Sequence, residues 1–185
     1  QVGALVAGAC GLSGAEASAV DAAGASGGVA LRQAYLAVAS GAHDLVAVVG
    51  AEKVTDVLDA RLEAGLALAG DADWEGVHGA TPTAQWALLM RRYMHEYGLD
   101  LSVFEGFSIN AHANSAKNEY AMFHNLIKPG RFAKAPMVSE PVSLFDSAPD
   151  ADGAAAVLIT SLERATDLVP QPVRITGSAV ATDTL

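Results

Sequence analysis

The chain has 185 residues, of which 51% are hydrophobic and 17% are charged, and it contains one cysteine. Plentiful apolar side chains exclude an intrinsically disordered chain, and the single Cys10 excludes a scaffold stabilised by internal disulfides. A formal net charge of −10 disfavours a nucleic-acid binder, which needs a basic surface to displace counterions.

The sequence also argues against a membrane protein. No uninterrupted apolar run reaches the roughly 18 residues that a spanning helix needs. The first residues form a helical pattern without a charged segment or cleavage signature of a secretory signal. We therefore expect a cytoplasmic protein that does not enter a membrane. We also expect a fragment of a longer protein, because the chain begins without Met and stops just after a predicted strand.

Apolar spacing predicts four elements in the first 52 residues. A helix is expected over residues 1–12, and a short apolar run predicts a buried strand over 18–22. A tight turn at Gly24 should precede a helix over 29–39 that is apolar nearly all round and therefore buried. The apolar run 45–50 is typical of a central parallel strand. Strand, helix and strand together predict a βαβ unit.

A helical segment interrupts this α/β pattern. Helices are predicted over residues 54–69, 82–97 and 102–115. The last of these should turn three apolar side chains inward, namely Phe104, Phe107 and Ile109.

The core pattern then returns at a buried strand over residues 152–160, which we expect in the same sheet as 45–50 and parallel to it. Ser161 should cap a following helix, and one more strand is expected to begin at 173–177.

The predicted fold class is α/β, a βαβ core with an inserted helical domain. This division gives four segments. Residues 1–52 and 146–168 form the core, and residues 53–145 form the insertion. Residues 169–185 form a linker and the first strand of a truncated C-terminal half.

The segment around the predicted turn resembles the nucleophile turn of the thiolase family. It reads Val20-Asp21-Ala22-Ala23-Gly24-Ala25-Ser26-Gly27-Gly28, and the family has a cysteine where this chain has Gly24. Further stretches match thiolases in the same order: Ala39-Ser40-Gly41, Val48-Val49-Gly50-Ala51-Glu52-Lys53, His78-Gly79-Ala80-Thr81, Ala111-His112-Ala113-Asn114, Asn118-Glu119-Tyr120-Ala121-Met122-Phe123, Asp146-Ser147-Ala148-Pro149 and Asp152-Gly153-Ala154-Ala155-Ala156. The resemblance spans essentially the whole chain and is greatest to archaeal and sterol-carrier-type thiolases.

The resemblance implies a thiolase-like fold and an acyl-CoA C-acyltransferase of the acetyl-CoA acetyltransferase type. It implies acyl-CoA as the ligand, coenzyme A as a substrate with no further cofactor, no metal, and a homodimeric parent protein. By the same resemblance, Gly24 occupies the nucleophile position, and His78, His112 and Ser147 are expected to bind substrate.

Two departures from the family pattern argue against catalysis by the family's route. Gly24 has no side chain that could accept an acyl group. The Gly-His-Pro and Cys-x-Gly motifs of the family do not occur in these residues. We therefore expect the chain itself to be inactive. One alternative is a non-catalytic homologue that binds acyl-CoA or a partner protein. Another is an ordinary thiolase whose cysteine was altered by mutation or sequence error.

Other nucleophiles and charged groups are also candidates for chemistry. Ser26 is a second candidate nucleophile, although a first-turn hydroxyl is the favoured interpretation, and Cys10 is expected to fill a core. The histidines lack metal-ligand spacing. Six basic residues of the helical segment fit either a coenzyme A phosphate site or a solvated face: Arg91, Arg92, Lys117, Lys128, Arg131 and Lys134.

Overall fold

The computed structural model describes residues 2–57 and 60–182, which form two compact units. The first unit contains residues up to Lys53 and the chain from Asp152 onward, and the second contains residues 54–151. The α/β class is confirmed, because both units combine helices with short strands.

The first unit is built from three helices and two strands. In chain order they are α1 (Val2–Ala9), α2 (Ser26–Ala39), β1 (Leu45–Glu52), β4 (Gly153–Thr160) and α6 (Leu162–Leu168). Ser161 caps α6 as predicted, because its side chain accepts a hydrogen bond from the Arg164 backbone N–H.

Strands β1 and β4 lie side by side in one sheet, as predicted, but their direction was predicted wrongly. They are antiparallel, with Leu45 opposite Thr160 and Glu52 opposite Gly153. A continuous apolar run indicates a strand with apolar surroundings and carries no information on direction. Direction depends on how the intervening second unit returns the chain to the sheet.

The predicted βαβ unit is not formed, because its first strand is absent. Residues 18–22 are irregular backbone, and so are residues 173–177, where a further strand was expected. A short apolar run becomes a strand only when a neighbouring strand takes up its backbone hydrogen bonds. Within the described residues, β1 and β4 pair only with each other, and these two runs have no ladder.

Helix α2 packs on one face of the β1–β4 pair. The side chains of β1 alternate accordingly: Val46 and Val48 are half-buried, whereas Leu45 and Val49 are exposed. The expectation that α2 is buried all round is wrong for this chain, because only Ala34 is buried. A helix that packs on one two-stranded sheet covers only one of its own faces.

The second unit contains α3 (Ala60–Ala67), α4 (Pro82–Tyr97), α5 (Glu105–Ser115) and a small hairpin of β2 (Met137–Ser139) and β3 (Val142–Ser143). The helix expected over 54–69 is therefore shorter, and two of its residues, 58 and 59, lie outside the described part. The helix predicted over 82–97 is confirmed.

Local signals explain the clear limits of α4. The Thr81 side chain accepts a hydrogen bond from the Ala84 backbone N–H, and Pro82 occupies the first helical position. Gly98 ends the helix in the left-handed region with φ 62°, a conformation that glycine adopts without strain.

Helix α5 begins later than predicted and turns a different face inward. A 3₁₀ turn, Leu101–Phe104, precedes it. Phe107 and Ile109 were expected inside but are 75% and 40% exposed, whereas Ser108 is buried. The buried serine is tolerated because its hydroxyl donates a hydrogen bond to the Asp146 carboxylate.

Candidate functional site

Gly24 lies in a 3₁₀ turn, Ala23–Ala25, that leads directly into α2. The predicted turn before this helix is confirmed, and the helix ends at Ala39, as expected. Ala23 adopts the left-handed region with φ 48°, and its backbone N–H donates to the Asp21 carboxylate over 3.1 Å. Asp21 is exposed, and its carboxylate stabilises the turn through this hydrogen bond. Gly24 thus precedes the free N–H groups of a helix N-terminus.

The hydroxyl of Ser26 is engaged within the same turn. It donates to the Ala23 carbonyl over 2.7 Å and accepts from the Ala22 backbone N–H over 2.8 Å. These bonds fit the favoured interpretation of a first-turn hydroxyl, since a hydroxyl held by two backbone groups is poorly placed to attack a substrate.

Position 24 has room for a side chain. A Cβ atom built on Gly24 meets no heavy atom within 4 Å, and the same is true at Gly27. Beside the turn, a shallow depression of about 450 Å³ is lined by small residues of α2, β1 and β4 and one carboxylate: Ser26, Gly27, Gly50, Ala51, Glu52, Gly153, Ala154 and Ala155. The turn therefore offers space and backbone N–H groups without a nucleophilic side chain.

His112 lies in the last turn of α5, in the second unit, and its ring is held on three sides. Its Nδ1 lies 2.9 Å from the Asn125 carbonyl oxygen. The Phe123 ring is nearly parallel to the imidazole at 6.3 Å and 13°, and the Phe145 ring stands edge-on at 5.8 Å and 88°. The side chain is half-buried.

A polar network that includes two buried serines lies beside this ring. The Asp146 carboxylate accepts from the Ser108 hydroxyl over 3.0 Å, from the Ser143 hydroxyl over 2.6 Å and from the Ser143 backbone N–H over 3.0 Å. Ser143 is fully buried and Ser108 is 4% exposed. The Ser147 hydroxyl donates to the Ser143 carbonyl over 3.3 Å. The structure thus brings His112 and Ser147 to the same corner of the second unit.

The remaining candidates lie elsewhere. His78 ends a 3₁₀ turn, Gly76–His78, where it is exposed and has no hydrogen-bond partner for its ring among the described residues. Gly24 belongs to the first unit. Cys10 is exposed, so its expected role as core filler is wrong. Helix α1 has no buried residue against which the thiol could pack.

Two of the six basic residues proposed for a coenzyme A phosphate already face carboxylates. Arg91 Nη2 lies 3.6 Å from Glu140 Oε1, and Arg92 Nε lies 3.2 Å from Glu96 Oε2. All four side chains are largely exposed, which is typical of a solvated helix face.

Sequence reasoning missed Ser108, Ser143 and the Asn125 carbonyl. Ser108 and Asp146 are 38 positions apart, and nothing in the spacing of either segment indicates that they meet. One signal was available, because a serine at a core position of a helix needs a hydrogen-bond partner.

Neither a metal cluster nor a membrane span is found in the described part of the chain. Residues 2–57 and 60–182 contain no group of three or more His, Cys, Asp or Glu side chains arranged to hold a metal ion. None of their helices combines the length and the apolar character needed to cross a bilayer.

Comparison with known proteins gives no matching family model. The acetyl-CoA acetyltransferase of Methanocaldococcus jannaschii is 40% identical over 187 aligned positions, which cover all of this chain and 47% of the relative. The acetyl-CoA acetyltransferase of Methanothermobacter thermautotrophicus is 37% identical over all of this chain and 48% of its own length. The chain therefore spans about half the length of these relatives.

A solved structure of an Ltp2–ChsH2(DUF35) aldolase also resembles the chain. The two agree with a TM-score of 0.63 and 32% sequence identity, over 76% of this chain and 37% of the aldolase chain.

Proposed function

We propose that the chain belongs to the thiolase family, and that the complete protein binds an acyl-CoA thioester and makes or breaks a carbon–carbon bond beside it. The homology to two acetyl-CoA acetyltransferases over the full length of the chain supports this proposal. We also assign the thiolase-like fold, on the strength of the structural match to the aldolase.

Gly24 decides between two mechanisms, acyl transfer through an acyl-enzyme and aldol cleavage. Acyl transfer through an acyl-enzyme needs a thiolate, and position 24 supplies none. The neighbouring Ser26 hydroxyl is held by two backbone groups. Cleavage of an aldol needs no acyl-enzyme. A base removes the proton of the 3-hydroxyl, the freed electron pair forms a carbonyl at C3 as the bond between C2 and C3 breaks, and the electrons of that bond enter the thioester enolate. Protonation of the enolate at C2 then gives the released acyl-CoA. We therefore favour the aldolase type of reaction, which the structural neighbour's name also describes.

Two other functions remain as alternatives. Homology to the acetyltransferases supports a parent acyl-CoA C-acyltransferase whose nucleophilic cysteine was altered to Gly24. The same glycine favours a non-catalytic homologue that binds acyl-CoA or assembles with a partner protein. For the complete protein we further propose a cytoplasmic homodimer, supported only by the family resemblance.

The test compares the product of the complete gene with its Gly24→Cys variant. Acetyl-CoA binding is measured by calorimetry, thiolysis by the loss of the enolate absorbance of acetoacetyl-CoA, and aldol cleavage by acetyl-CoA release from a 3-hydroxyacyl-CoA. Gly27→Cys is the matched control, because it places a thiol in the same open region three residues along the chain.

The Gly24 protein should bind acetyl-CoA, cleave the 3-hydroxyacyl-CoA and show no thiolysis. Binding without any cleavage would favour the non-catalytic homologue. Thiolysis that appears in Gly24→Cys and not in Gly27→Cys would favour the altered acyltransferase. Equal and sizeable thiolysis with Gly24 and with cysteine would show that position 24 is not the nucleophile site. Absence of acetyl-CoA binding would overturn the whole proposal.

A further inference from the structure

We propose that Glu52 is the base of the aldol cleavage, with its carboxylate taking the proton of the 3-hydroxyl group of a 3-hydroxyacyl-CoA. The inference rests on the proposed function and adds the residue that moves the proton. Its basis is the place of Glu52 in the depression beside the Gly24 turn, where it is the one carboxylate among the lining residues.

Strand β1 directs the Glu52 side chain to the face of the sheet on which α2 packs. Side chains alternate between the two faces of a strand, and Val46 and Val48 are half-buried on the α2 face. Gly50 and Glu52 continue the same alternate row, and Glu52 ends it. The carboxylate therefore lines the depression together with Gly27, in the first turn of α2.

Small residues leave room for a ligand beside the carboxylate. Gly153 lies directly opposite Glu52 in the ladder, and Ala155 lies opposite Gly50. These three small residues and Gly27 line the depression, and none has a side chain larger than a methyl group. A volume of about 450 Å³ is within the range of small-molecule sites and can hold the reacting end of an acyl-CoA.

The Glu52 carboxylate is available for proton transfer. Lys53, the next residue, lies 3.7 Å from the Asp152 carboxylate, so the ion pair at this strand end does not use Glu52. Within the described part of the chain, no hydrogen bond or ion pair engages the Glu52 side chain. The only other polar side chain in the lining is the Ser26 hydroxyl, which two backbone groups already hold. The depression thus offers a single base.

Glu52 can carry out both proton transfers of the cleavage. Its carboxylate takes the hydroxyl proton as the carbonyl forms at C3 and the bond between C2 and C3 breaks. The electrons of that bond form the thioester enolate, whose oxygen can accept hydrogen bonds from N–H groups in the first turn of α2. The Glu52 carboxylic acid then returns the proton to C2, which completes the acyl-CoA and restores the carboxylate.

The second proton transfer can be measured without a cleavage substrate. A group that returns a proton to C2 also removes one in the reverse direction. The product of the complete gene should therefore exchange the methyl hydrogens of acetyl-CoA for deuterium in D₂O. Mass spectrometry of the acetyl-CoA gives the exchange rate, and calorimetry gives the acetyl-CoA affinity of the same protein.

Glu52→Gln keeps the shape of the side chain and removes the base. It should slow exchange at least about 100-fold, as expected for a lost general base, and bind acetyl-CoA within about threefold of the unaltered protein. Asp152→Asn is the matched control, because it removes a carboxylate at the same end of the sheet that pairs with Lys53 and does not line the depression. Its exchange rate should stay within about threefold of the unaltered protein.

Gly27→Leu tests whether the reaction takes place in the depression. A Cβ atom at Gly27 meets no heavy atom within 4 Å, so the chain can accommodate the larger side chain, which should fill part of the depression. Exchange should fall at least about tenfold because the acetyl group can no longer approach Glu52.

Thermal midpoints show whether each variant is folded, and exchange by the unaltered protein does not depend on them. Acetyl-CoA binding without exchange in the unaltered protein would overturn this inference and leave the proposed function intact. Unchanged exchange in folded Glu52→Gln or Gly27→Leu would do the same, and so would equal losses in Glu52→Gln and Asp152→Asn. Absence of acetyl-CoA binding to the unaltered protein would overturn both.

Discussion

The Asp146 carboxylate accepts three hydrogen bonds from two buried serines and thereby ties α5 to the end of the hairpin. We predict that Ser143→Ala lowers the stability of the second unit by about 1–3 kcal/mol, because the half-buried Asp146 carboxylate loses its shortest hydrogen-bond partner. Thermal unfolding of the complete gene product measures the change.

Ser147→Ala is the matched control for this prediction. The Ser147 hydroxyl donates over a longer 3.3 Å to a carbonyl and is only half-buried, so its loss should cost clearly less. If the two alanine variants unfold at the same temperature, the carboxylate network is not the source of the stability.

Gly24 can be tested without an assay of activity. We predict that Gly24→Cys folds normally and that its new thiol is alkylated by iodoacetamide faster than Cys10 at neutral pH. The new side chain meets no atom within 4 Å, and a helix N-terminus lowers the pKa of a thiol. Cys10 follows the C-terminal end of α1, so no helix N-terminus favours its thiolate.

Mass spectrometry of the two modified peptides gives both alkylation rates in a single sample. Gly27→Cys serves as the comparison inside the first turn of α2. If the thiol introduced by Gly24→Cys reacts no faster than Cys10, the turn does not activate a nucleophile.

Residues whose partners are close in sequence could be predicted, and the others could not. The Gly24 turn and the first-turn position of Ser26 depend on five neighbouring residues, so the local sequence was enough to predict both. The surroundings of His112 depend on Asn125 and Phe145, which only the folded chain brings to α5. The resemblance to thiolases pointed to His112, whereas its contacts with Asn125 and the two aromatic rings required the structure.

At the scale of elements, helices with both ends marked were predicted best. Thr81, Pro82 and Gly98 define α4, and both predicted limits are confirmed. Strands were harder because their direction and their partners are not local properties. The run at 18–22 and the run at 45–50 look alike in sequence, yet only the second finds a partner, about 100 residues along the chain.

The antiparallel register of β1 and β4 gives the next prediction. Val46 lies directly opposite Ile159, so Val46→Cys combined with Ile159→Cys in a Cys10→Ser background should form a disulfide on mild oxidation. The control pair is Val46→Cys with Ala154→Cys, which would be neighbours only in a parallel register. Proteolysis followed by non-reducing electrophoresis shows whether the two introduced cysteines have formed a disulfide. A link in the control pair and not in the first pair would contradict the antiparallel sheet.

At the scale of the whole molecule, the chain spans about half the length of its relatives and leaves apolar surface exposed. The face of the β1–β4 pair opposite α2 is one example: Leu45, Val49 and Leu158 are 41%, 44% and 64% exposed. Both strands also have an outer edge without a ladder among the described residues. Exposed strand edges and apolar patches promote association between molecules.

We therefore predict that the isolated 185-residue chain self-associates, with a broad distribution of species in sedimentation velocity. Leu158→Lys should narrow the distribution toward the monomer, because a charge on the exposed sheet face opposes stacking of sheets. Leu168→Lys makes the same substitution at a comparably exposed leucine of α6, 54% exposed, and should have little effect. A single sharp monomer boundary for the unaltered chain would contradict the prediction. Equal effects of the two lysines would show that net charge, and not this sheet face, controls association.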